Sequence, residues 1–271
     1  MDTAYHGDPR KYDRTRGLPP AVQEAIVVAL ADALPAGARV LDLGAGSGRF
    51  ALPLAAQGFR VVAADLSAAM LAHLRAKQPA GAIFPAPVQA DACRLPFRGA
   101  AFPAAFSVHT LHLVADLNAA VAEIARVVQP GGVFALGYID HDPAAPIGWT
   151  LHAWREALAR RGYDLSRPMW RDYTEVAALL ARRFGAPHTR VAARWPGQIS
   201  PAAALQSVSE RLFTPYWGLP DDKHAAVVAE LRRAARRAFG DDLHAPRPDP
   251  RRFVWHGYQS VPVQREMEKR A

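Results

Sequence analysis

The segment Val40–Phe50 reads VLDLGAGSGRF, and this stretch of the chain decides the fold. A short apolar run leads into three glycines at every second position, Gly44, Gly46 and Gly48. Glycine adopts positive φ without a steric penalty and lets a ligand approach bare backbone. N–H groups at the start of a following helix favour polar or anionic ligand groups. The pattern predicts a buried strand that turns sharply into a helix at a nucleotide-type cofactor site.

Two kinds of cofactor can bind such a turn, and the glycine spacing separates them. The dinucleotide fingerprint G-x-G-x-x-G has a third glycine that permits close packing of helix and strand beside a pyrophosphate. This chain has G-x-G-x-G instead, with Arg49 and Phe50 near the place of that last glycine. Asp42 would repel a pyrophosphate but would tolerate a cofactor with a cationic amino group and a sulfonium. The spacing therefore favours S-adenosylmethionine over a nicotinamide dinucleotide.

Around this segment, short apolar runs alternate with helical patterns, which is typical of βαβ units and a parallel sheet. The predicted strands of this region are Arg39–Leu43, Arg60–Ala64, Pro87–Gln89, Ala104–Val108 and Val133–Tyr138. The predicted helices are Ala21–Leu34, Gly48–Gln57, Ala68–Lys77 and Leu117–Val128. The Pro-Gly-Gly sequence within Gln129–Gly132 predicts that the last of these helices ends in a turn.

After Asp140 this regular alternation stops. A stretch rich in proline and small residues, His141–Gly148, predicts a loop. The helices predicted beyond it are Trp149–Arg161, Tyr173–Phe184, Pro201–Phe213 and Asp221–Phe239, and the strands are Thr189–Trp195 and Arg252–Gln259. We therefore expect helical insertions in the second half of a core sheet.

The motifs together resemble those of class I S-adenosylmethionine-dependent methyltransferases, in that family's order, over roughly Leu34–Gly137. Val61–Ser67 resembles the second strand of the family, whose terminal acid, here Asp65, binds both ribose hydroxyls. Gln89–Phe97 resembles the adenine-binding stretch, in which Asp91 would accept a hydrogen bond from the exocyclic amine. The resemblance is strongest to the small-molecule branch typified by ubiquinone and menaquinone methyltransferases.

The expected fold is α/β, with a Rossmann-like, doubly wound, seven-stranded sheet that is mostly parallel and has an antiparallel last strand. The N-terminal stretch, with Tyr5, His6, Tyr12 and Arg16, resembles the lid of related enzymes, although a frayed polar terminus is an open alternative. We expect a helical lid over residues 1–34 and a methyltransferase domain over residues 35–271. Its cap insertions are expected at about 141–172 and 196–240.

The resemblance implies a set of cofactor-binding residues on these motifs. Arg16 is a candidate partner for the methionine carboxylate, since a guanidinium can bind a carboxylate through two hydrogen bonds. The alternative for Asp65 is a helix N-cap, for which Ser67 is better placed, and Asp91 could be a turn residue. The full predicted set is Tyr12, Arg16, Asp42, Gly44, Ala45, Gly46, Asp65, Leu66, Met70, Asp91, Ala92 and His109.

Two histidines follow the fourth predicted strand and are candidate catalytic residues. His109 is expected at the methionine end of the cofactor and His112 just beyond it, near the acceptor. Either imidazole could deprotonate a phenol, enol or amine, or could simply form hydrogen bonds within the loop. The Asn/Asp-Pro-Pro-aromatic motif of nucleic-acid methyltransferases is absent from Ser107–His112, which disfavours methylation of a nucleic-acid base.

An excess of aromatic residues in the second half of the chain bears on the acceptor. These residues suit a flat, apolar or aromatic acceptor, but aromatics at such spacing more often form a core. They are Tyr138, Trp149, Trp154, Trp170, Phe213, Tyr216 and Trp217.

The bulk composition limits the remaining classes of function. Half of the 271 residues are hydrophobic, so the chain can bury a sizeable core. The net charge of +8 is scattered in arginine pairs on predicted helices, which is typical of solvated faces rather than of a nucleic-acid site. The single cysteine, Cys93, excludes an internal disulfide and a cysteine-built metal site. No apolar run is long enough to predict a membrane span.

We therefore expect a cytoplasmic biosynthetic enzyme, monomeric or homodimeric and without a metal. It would transfer a methyl group from S-adenosylmethionine to an oxygen, nitrogen or carbon atom of a small metabolite by in-line displacement, releasing S-adenosylhomocysteine. Two alternatives stay open at this point. One is a protein of the same fold with a non-methylating or regulatory role, and the other is a nucleic-acid methyltransferase.

Overall fold

The computed structural model describes residues 9–78, 83–168, 170–216 and 218–260. Tyr5 and His6 of the predicted lid and Trp217 of the aromatic set lie outside the described residues. The strands are β1 (Arg39–Leu43), β2 (Arg60–Asp65), β3 (Ala86–Gln89), β4 (Phe102–Val108), β5 (Val128–His141), β6 (His188–Trp195), β7 (Gln198–Ile199), β8 (Arg247–Pro248) and β9 (Arg251–Gln259). The α-helices are α1 (Pro9–Arg16), α2 (Pro20–Ala31), α3 (Ala51–Ala56), α4 (Ala68–Arg75), α5 (Leu117–Val127), α6 (Pro146–Arg160), α7 (Tyr173–Phe184), α8 (Pro201–Ser209) and α9 (Asp221–Phe239). Short 3-10 helices cover Leu111–Leu113 and Thr214–Tyr216.

A seven-stranded sheet has the strand order β3-β2-β1-β4-β5-β9-β6. The pairs β1–β2, β1–β4, β2–β3 and β4–β5 are parallel. Gly131 N donates to Ser260 O, and Ser260 N donates to Gly132 O, so the start of β5 lies beside the end of β9. This pairing makes β9 antiparallel to β5. The predicted Rossmann-like sheet with an antiparallel last strand is confirmed.

The central strands are buried because their sequences are continuous apolar runs. Four of the five residues of β1 and six of the seven of β4 are buried. Strands covered on both faces carry such runs, whereas a strand with one solvated face alternates polar and apolar residues. Side-chain oxygens of Ser67, Asp116, Asp172 and Ser200 accept backbone N–H groups at the starts of α4, α5, α7 and α8. These caps fix where the helices begin.

The Pro-Gly-Gly stretch is not the predicted turn, and this expectation was wrong. The chain leaves α5 directly into β5, and Gln129–Gly132 forms an irregularity within that strand. Phe102 pairs with Val128, while Ala104, only two residues further, pairs with Val133. The additional residues of β5 form a bulge, in which Gly131 has φ +76°. Proline lacks an N–H donor and is tolerated at such a position.

Several other boundaries also differ from those that the sequence predicts, including the following three. The helix expected from Gly48 begins at Ala51, because the positive φ of Gly48, +86°, keeps that residue in the loop. The loop expected at His141–Gly148 is shorter, since β5 continues to His141 and Pro146 opens α6. Proline suits a first helical position because the N–H it lacks has no partner there. The helix expected over Pro201–Phe213 ends at Ser209.

The chain divides into two compact units. The first consists of the residues up to Tyr138, Asp172–Ala193, and those from Val254 onward. The second consists of Ile139–Arg171 and Arg194–Phe253. The predicted lid and cap insertions stay predictions. Within the described ranges, no helix is long and apolar enough to cross a membrane.

The second unit has its own hydrophobic core, and most of the aromatic excess belongs to it. Trp154, Trp170 and Tyr216 are each at most 4% exposed. Trp149 and Phe213 are partly buried and pack against the same cluster. The core interpretation therefore holds for these five aromatic residues.

In the first unit, Trp255 of β9 connects several elements. Its indole N–H donates to Ile26 O of α2 at 3.2 Å. Its ring lies edge-on to Phe50 and Phe106, with centroids 6.3 Å apart in each case. The ring covers Gly137 of β5 so closely that a Cβ there would lie 2.4 Å from a ring carbon. Only glycine allows this approach without a shift of the indole.

Gly137→Ala should therefore destabilise the fold by about 1–3 kcal/mol, the usual cost of overpacking a core. Urea denaturation measures the loss as a lower midpoint with an unchanged slope. The matched control is Gly257→Ala in β9, where the nearest atom to a new Cβ is His188 O at 3.7 Å. Equal losses in the two variants would contradict the steric explanation.

Candidate functional site

The glycine-rich loop after β1 is held on both sides by neighbouring strands. Gly44 N and Ala45 N donate to Ala64 O of β2 at 2.8 and 3.0 Å. On the other side, the Thr110 hydroxyl lies 3.3 Å from Gly44 O and 3.1 Å from Val108 O, the two carbonyls that share its single proton. A Cβ on Gly44 would lie 2.1 Å from that hydroxyl oxygen, and the φ of Gly44 is +81°. Glycine is therefore required at Gly44 both by conformation and by the close approach of Thr110.

Asp65 ends β2 and its carboxylate joins two loops. One oxygen accepts Gly46 N and the other accepts Ser67 N, each at 2.8 Å. Ser67 is the N-cap of α4, accepting Met70 N at 3.4 Å, so the capping role falls to Ser67 as the sequence suggested. Burial raises the pKa of Asp65, and the backbone N–H donors oppose that shift. Each carboxylate oxygen can accept a second hydrogen bond, so the group retains capacity for two ligand hydroxyls.

Asp42 of β1 is a buried acid next to the same loop. Asp42 is only 3% exposed. Among the described residues, none forms a hydrogen bond with the Asp42 carboxylate. Burial first, and then the charge of nearby Asp65, raise the pKa of Asp42 well above its usual range, while Arg49 has the opposite effect. A buried carboxylate without a protein donor is costly, and a cationic ligand group would relieve that cost.

Asp91 follows β3 and forms the turn that was its alternative role. Its carboxylate accepts Cys93 N at 2.8 Å, and its carbonyl accepts Arg94 N at 3.0 Å. The side chain is exposed, so these bonds leave it able to accept a further donor. The Cys93 thiol contacts Asp116 O at 3.3 Å, and burial raises its pKa, as expected of a packing residue rather than a nucleophile.

Parallel strands bring these predicted site residues to one edge of the sheet. Gly44 and His109 directly follow β1 and β4, Asp65 ends β2, and Asp91 is the second residue after β3. In open α/β sheets, ligands bind at the carboxyl ends of the strands. The remaining predicted residues of the loop region are Ala45 (buried), Gly46 (half-buried), Leu66 (exposed), Met70 (buried on α4) and Ala92 (half-buried).

Helix α1, which carries Tyr12 and Arg16, is tied to the glycine-rich loop by Asp13. The Asp13 carboxylate contacts Lys77 Nζ at 2.7 Å and His73 Nε2 at 2.8 Å, and it accepts the hydroxyl of Ser47. Burial raises the pKa of Asp13, but the hydrogen bonds from Lys77, Ser47 and His73 outweigh it, so the net shift is downward. No local sequence pattern marks Asp13, because its partners are 34 to 64 positions away in the chain.

A groove of about 370 Å³ lies along this contact. Its lining residues include Tyr12, Arg16, Gly48, Arg49 and Lys77. Arg49 also donates to the carbonyl of Arg16, which fixes the end of α1. The structure thus places Tyr12 and Arg16 beside the glycine-rich loop, while their predicted contacts with a cofactor stay predictions.

The two candidate histidines meet at a tyrosine that the sequence did not single out. The Tyr173 hydroxyl lies 3.1 Å from His109 Nδ1 and 2.8 Å from His112 Nδ1. Tyr138 stacks on the Tyr173 ring, with centroids 4.5 Å apart and planes within 3°. Burial, followed by the neighbouring phenols of Tyr12 and Tyr138, raises the pKa of Tyr173 well above its usual range. No local motif marks Tyr173, because it reaches the histidines only through the packing of α7.

The comparisons with known proteins agree with this geometry. The methyltransferase-domain family matches residues 41–136. The demethylmenaquinone methyltransferase of Beutenbergia cavernae is 35% identical over 164 residues, which are 55% of this chain and 67% of that protein. The Clavibacter sepedonicus protein of the same name is 35% identical over 157 residues, covering 57% of this chain and 59% of its own length.

A second group of relatives acts on a different acceptor. The malonyl-[acyl-carrier protein] O-methyltransferase of Serratia marcescens is 31% identical over 142 residues, covering 52% of this chain and 53% of that protein. The chain thus spans less than two thirds of the length of the Clavibacter and Serratia relatives.

Solved structures show the same fold. The YcgJ protein of Bacillus subtilis superposes with a TM-score of 0.57 at 21% identity, covering 88% of this chain and 99% of the other. A candidate methyltransferase of Bacillus halodurans C-125 gives 0.58 at 17% identity, covering 88% and 98%. Because motif order, sheet topology and identity to curated methyltransferases agree, this chain belongs to the class I S-adenosylmethionine-dependent methyltransferases, in their small-molecule branch.

Proposed function

We propose that this enzyme methylates a small aromatic or apolar metabolite at an oxygen, nitrogen or carbon atom, by in-line displacement at S-adenosylmethionine. The observation that carries the proposal is the buried, unpartnered carboxylate of Asp42 beside Asp65, at the edge of the sheet formed by the glycine-rich loop. A dinucleotide phosphate would be repelled at this place, whereas an amino group would supply the missing charge.

The donor side of the site follows from the chemistry of its acids. Asp42 would hold the cationic amino group, and Asp65 would accept the two ribose hydroxyls with its remaining lone pairs. Asp91, at the exposed turn after β3, would accept the exocyclic amine of adenine. Arg16 of α1 would pair with the carboxylate of the methionine part. Each of these residues already lies on the carboxyl edge or on the helix tied to it.

Bound S-adenosylmethionine supplies an electrophilic methyl group, so the chain need not supply a reactive group of its own. The protein has to align the accepting atom with the methyl group and exclude water. A base is required only when the acceptor must lose a proton, and His109 and His112 are the candidates next to the glycine-rich loop. The cytoplasmic location and the choice between monomer and homodimer stay predictions.

Asp65→Ala should weaken binding of S-adenosylhomocysteine about tenfold or more, which corresponds to about 1.4 kcal/mol, because two hydroxyl acceptors are lost. Isothermal titration calorimetry measures the affinity. Asp116→Ala is the matched control, since Asp116 also accepts a backbone N–H, that of Ala119 at 3.0 Å, after a neighbouring strand. It should lower stability and leave the affinity unchanged. Wild-type protein that binds neither S-adenosylhomocysteine nor S-adenosylmethionine would rule the proposal out.

Asp42→Asn should have two effects of opposite sign. Because the folded state raises the pKa of Asp42, the native protein loses stability as the pH rises through that pKa. At neutral pH the variant should therefore gain about 1 kcal/mol in the free energy of unfolding, as at other sites where function opposes stability. Its affinity for S-adenosylhomocysteine should fall at least about tenfold.

Urea titrations at several pH values test the first effect. The gain should shrink towards about pH 4, where the Asp42 carboxyl carries its proton in the folded wild type and increasingly in the unfolded chain. An Asp42→Asn protein that is less stable than wild type at neutral pH, or that binds S-adenosylhomocysteine equally well, would contradict the assignment.

The acceptor can be tested with the substrates that the relatives' names provide. We expect release of S-adenosylhomocysteine with reduced demethylmenaquinone, because the relatives named for it share more of this chain. Malonyl-acyl carrier protein is the second candidate, supported by the Serratia relative. Turnover with malonyl-acyl carrier protein and none with reduced demethylmenaquinone would contradict an aromatic acceptor and indicate an acyl carboxylate instead.

A further inference from the structure

The hydroxyl of Tyr173 lies between two imidazoles and has a single proton. Its contacts are His112 Nδ1 at 2.8 Å and His109 Nδ1 at 3.1 Å, and the described residues offer it no third hydrogen-bonding partner. A neutral phenol donates one hydrogen bond and accepts others. The upward shift in the pKa of Tyr173 keeps this phenol neutral near pH 7.

This proton count makes the two histidines unequal. The phenol donates to one Nδ1, which must then be unprotonated, and accepts from the other, which must carry a proton. If both Nδ1 atoms were protonated, the buried O–H would lack an acceptor, at a cost of about 1–3 kcal/mol. The two neutral rings therefore adopt opposite tautomers, one with its proton on Nε2 and the other with its proton on Nδ1.

The two distances indicate which ring takes which tautomer. Hydrogen bonds from a hydroxyl to oxygen span about 2.5–3.0 Å and those from an N–H to oxygen about 2.7–3.2 Å, so the 3.1 Å contact of His109 lies in the range of N–H donation. The shorter contact fits donation from the Tyr173 hydroxyl to His112, and the longer contact fits donation from His109 Nδ1–H to the Tyr173 oxygen. His109 then has its unprotonated nitrogen at Nε2, the position from which an imidazole accepts a proton.

His109 and His112 also differ in their burial and backbone geometry. His109 is half-buried, whereas His112 is 8% exposed. His109 is also one of the non-glycine residues with positive φ, +52°, a conformation that costs about 1–3 kcal/mol and that clusters at functional sites. Its neighbour Thr110 packs on Gly44, which brings this turn directly against the glycine-rich loop.

We propose that Tyr173 is a positioning residue that fixes opposite tautomers on the two imidazoles, and that this makes His109 the general base of methyl transfer and His112 a hydrogen-bond donor. The role of His109 rests on the proposed function, whereas the tautomers do not.

The proton transfer can be followed atom by atom. The accepting hydroxyl or amine gives its proton to His109 Nε2, and its electron pair forms the new bond to the methyl carbon. The bond between that carbon and sulfur breaks, and its electron pair stays on sulfur. His109 becomes an imidazolium whose Nδ1–H is held by the Tyr173 oxygen, which stabilises the positive charge by a charge-assisted hydrogen bond.

Nitrogen NMR of the full-length protein with ¹⁵N-labelled histidine rings tests the tautomers without any acceptor. Spectra are recorded at about pH 8, above the usual pKa of histidine. The variants His109→Gln and His112→Gln assign the signals. We expect the proton on Nδ1 in His109 and on Nε2 in His112. The same tautomer in both rings, or the reverse assignment, would overturn the proposal.

Tyr173→Phe removes only the hydroxyl and keeps the ring that stacks on Tyr138. Both histidines should then lose their fixed, opposite tautomers. Tyr258→Phe is the matched control, because it removes a hydroxyl that donates to Ala177 O on the same helix, at 3.3 Å, away from the histidines. It should leave both tautomers unchanged. A Tyr173→Phe protein with wild-type histidine signals would also overturn the proposal.

Calorimetry with S-adenosylhomocysteine on the same samples separates this inference from the proposed function. Wild-type protein that fails to bind would reject the donor site, whereas the NMR result would still decide the tautomers. With whichever acceptor is methylated, His109→Gln should lower kcat about 100-fold or more with little change in KM, since general bases contribute about that much. His112→Gln should cost less, and an equal or larger loss would contradict the choice of His109.

Discussion

Two backbone N–H groups, from Gly46 and Ser67, point at the carboxylate of Asp65, and the arrangement of the site depends on these bonds. They hold the glycine-rich loop after β1 against the turn after β2, while Thr110 holds the same loop from the side of β4. A loop fixed from both sides presents its backbone in one conformation, so a ligand need not order it on binding. Burial raises the pKa of Asp42 and the same carboxylate raises it further, so one side chain contributes to both the shape and the charge of this edge.

Two features of the site lower the stability of the fold. Asp42 is a buried acid without a protein donor, and His109 has a backbone conformation that most residues avoid. The contacts of Asp13 with Lys77, His73 and Ser47 instead stabilise the site, since they attach α1 to the loop. Proteins commonly accept such local costs where a ligand relieves them. The first unit can afford them because strands β1 and β4 are buried almost along their whole length.

Local pattern was enough to predict the parts of the molecule that depend on neighbouring residues. Strand β1 and helix α7 have the predicted bounds, and Ser67 caps α4, because each depends on residues a few positions apart. The Pro-Gly-Gly bulge was missed because it exists only through pairing with β4. Tyr173 was missed for a similar reason, since 61 residues separate it from His112 and only the packing of α7 joins them. The aromatic excess of the second half could not be divided between core and ligand wall until burial was known.

The position of β9 has a consequence for how the protein is made. It lies between β5 and β6 in the sheet, although it follows both in the chain. While the ribosome is still synthesising the residues before Gln259, the edge of β5 has no partner and β6 cannot join the sheet. An uncovered strand edge is a template for pairing with other chains, and late long-range pairing is slow. The nascent chain is therefore most exposed to aggregation, and most in need of a chaperone, just before β9 emerges.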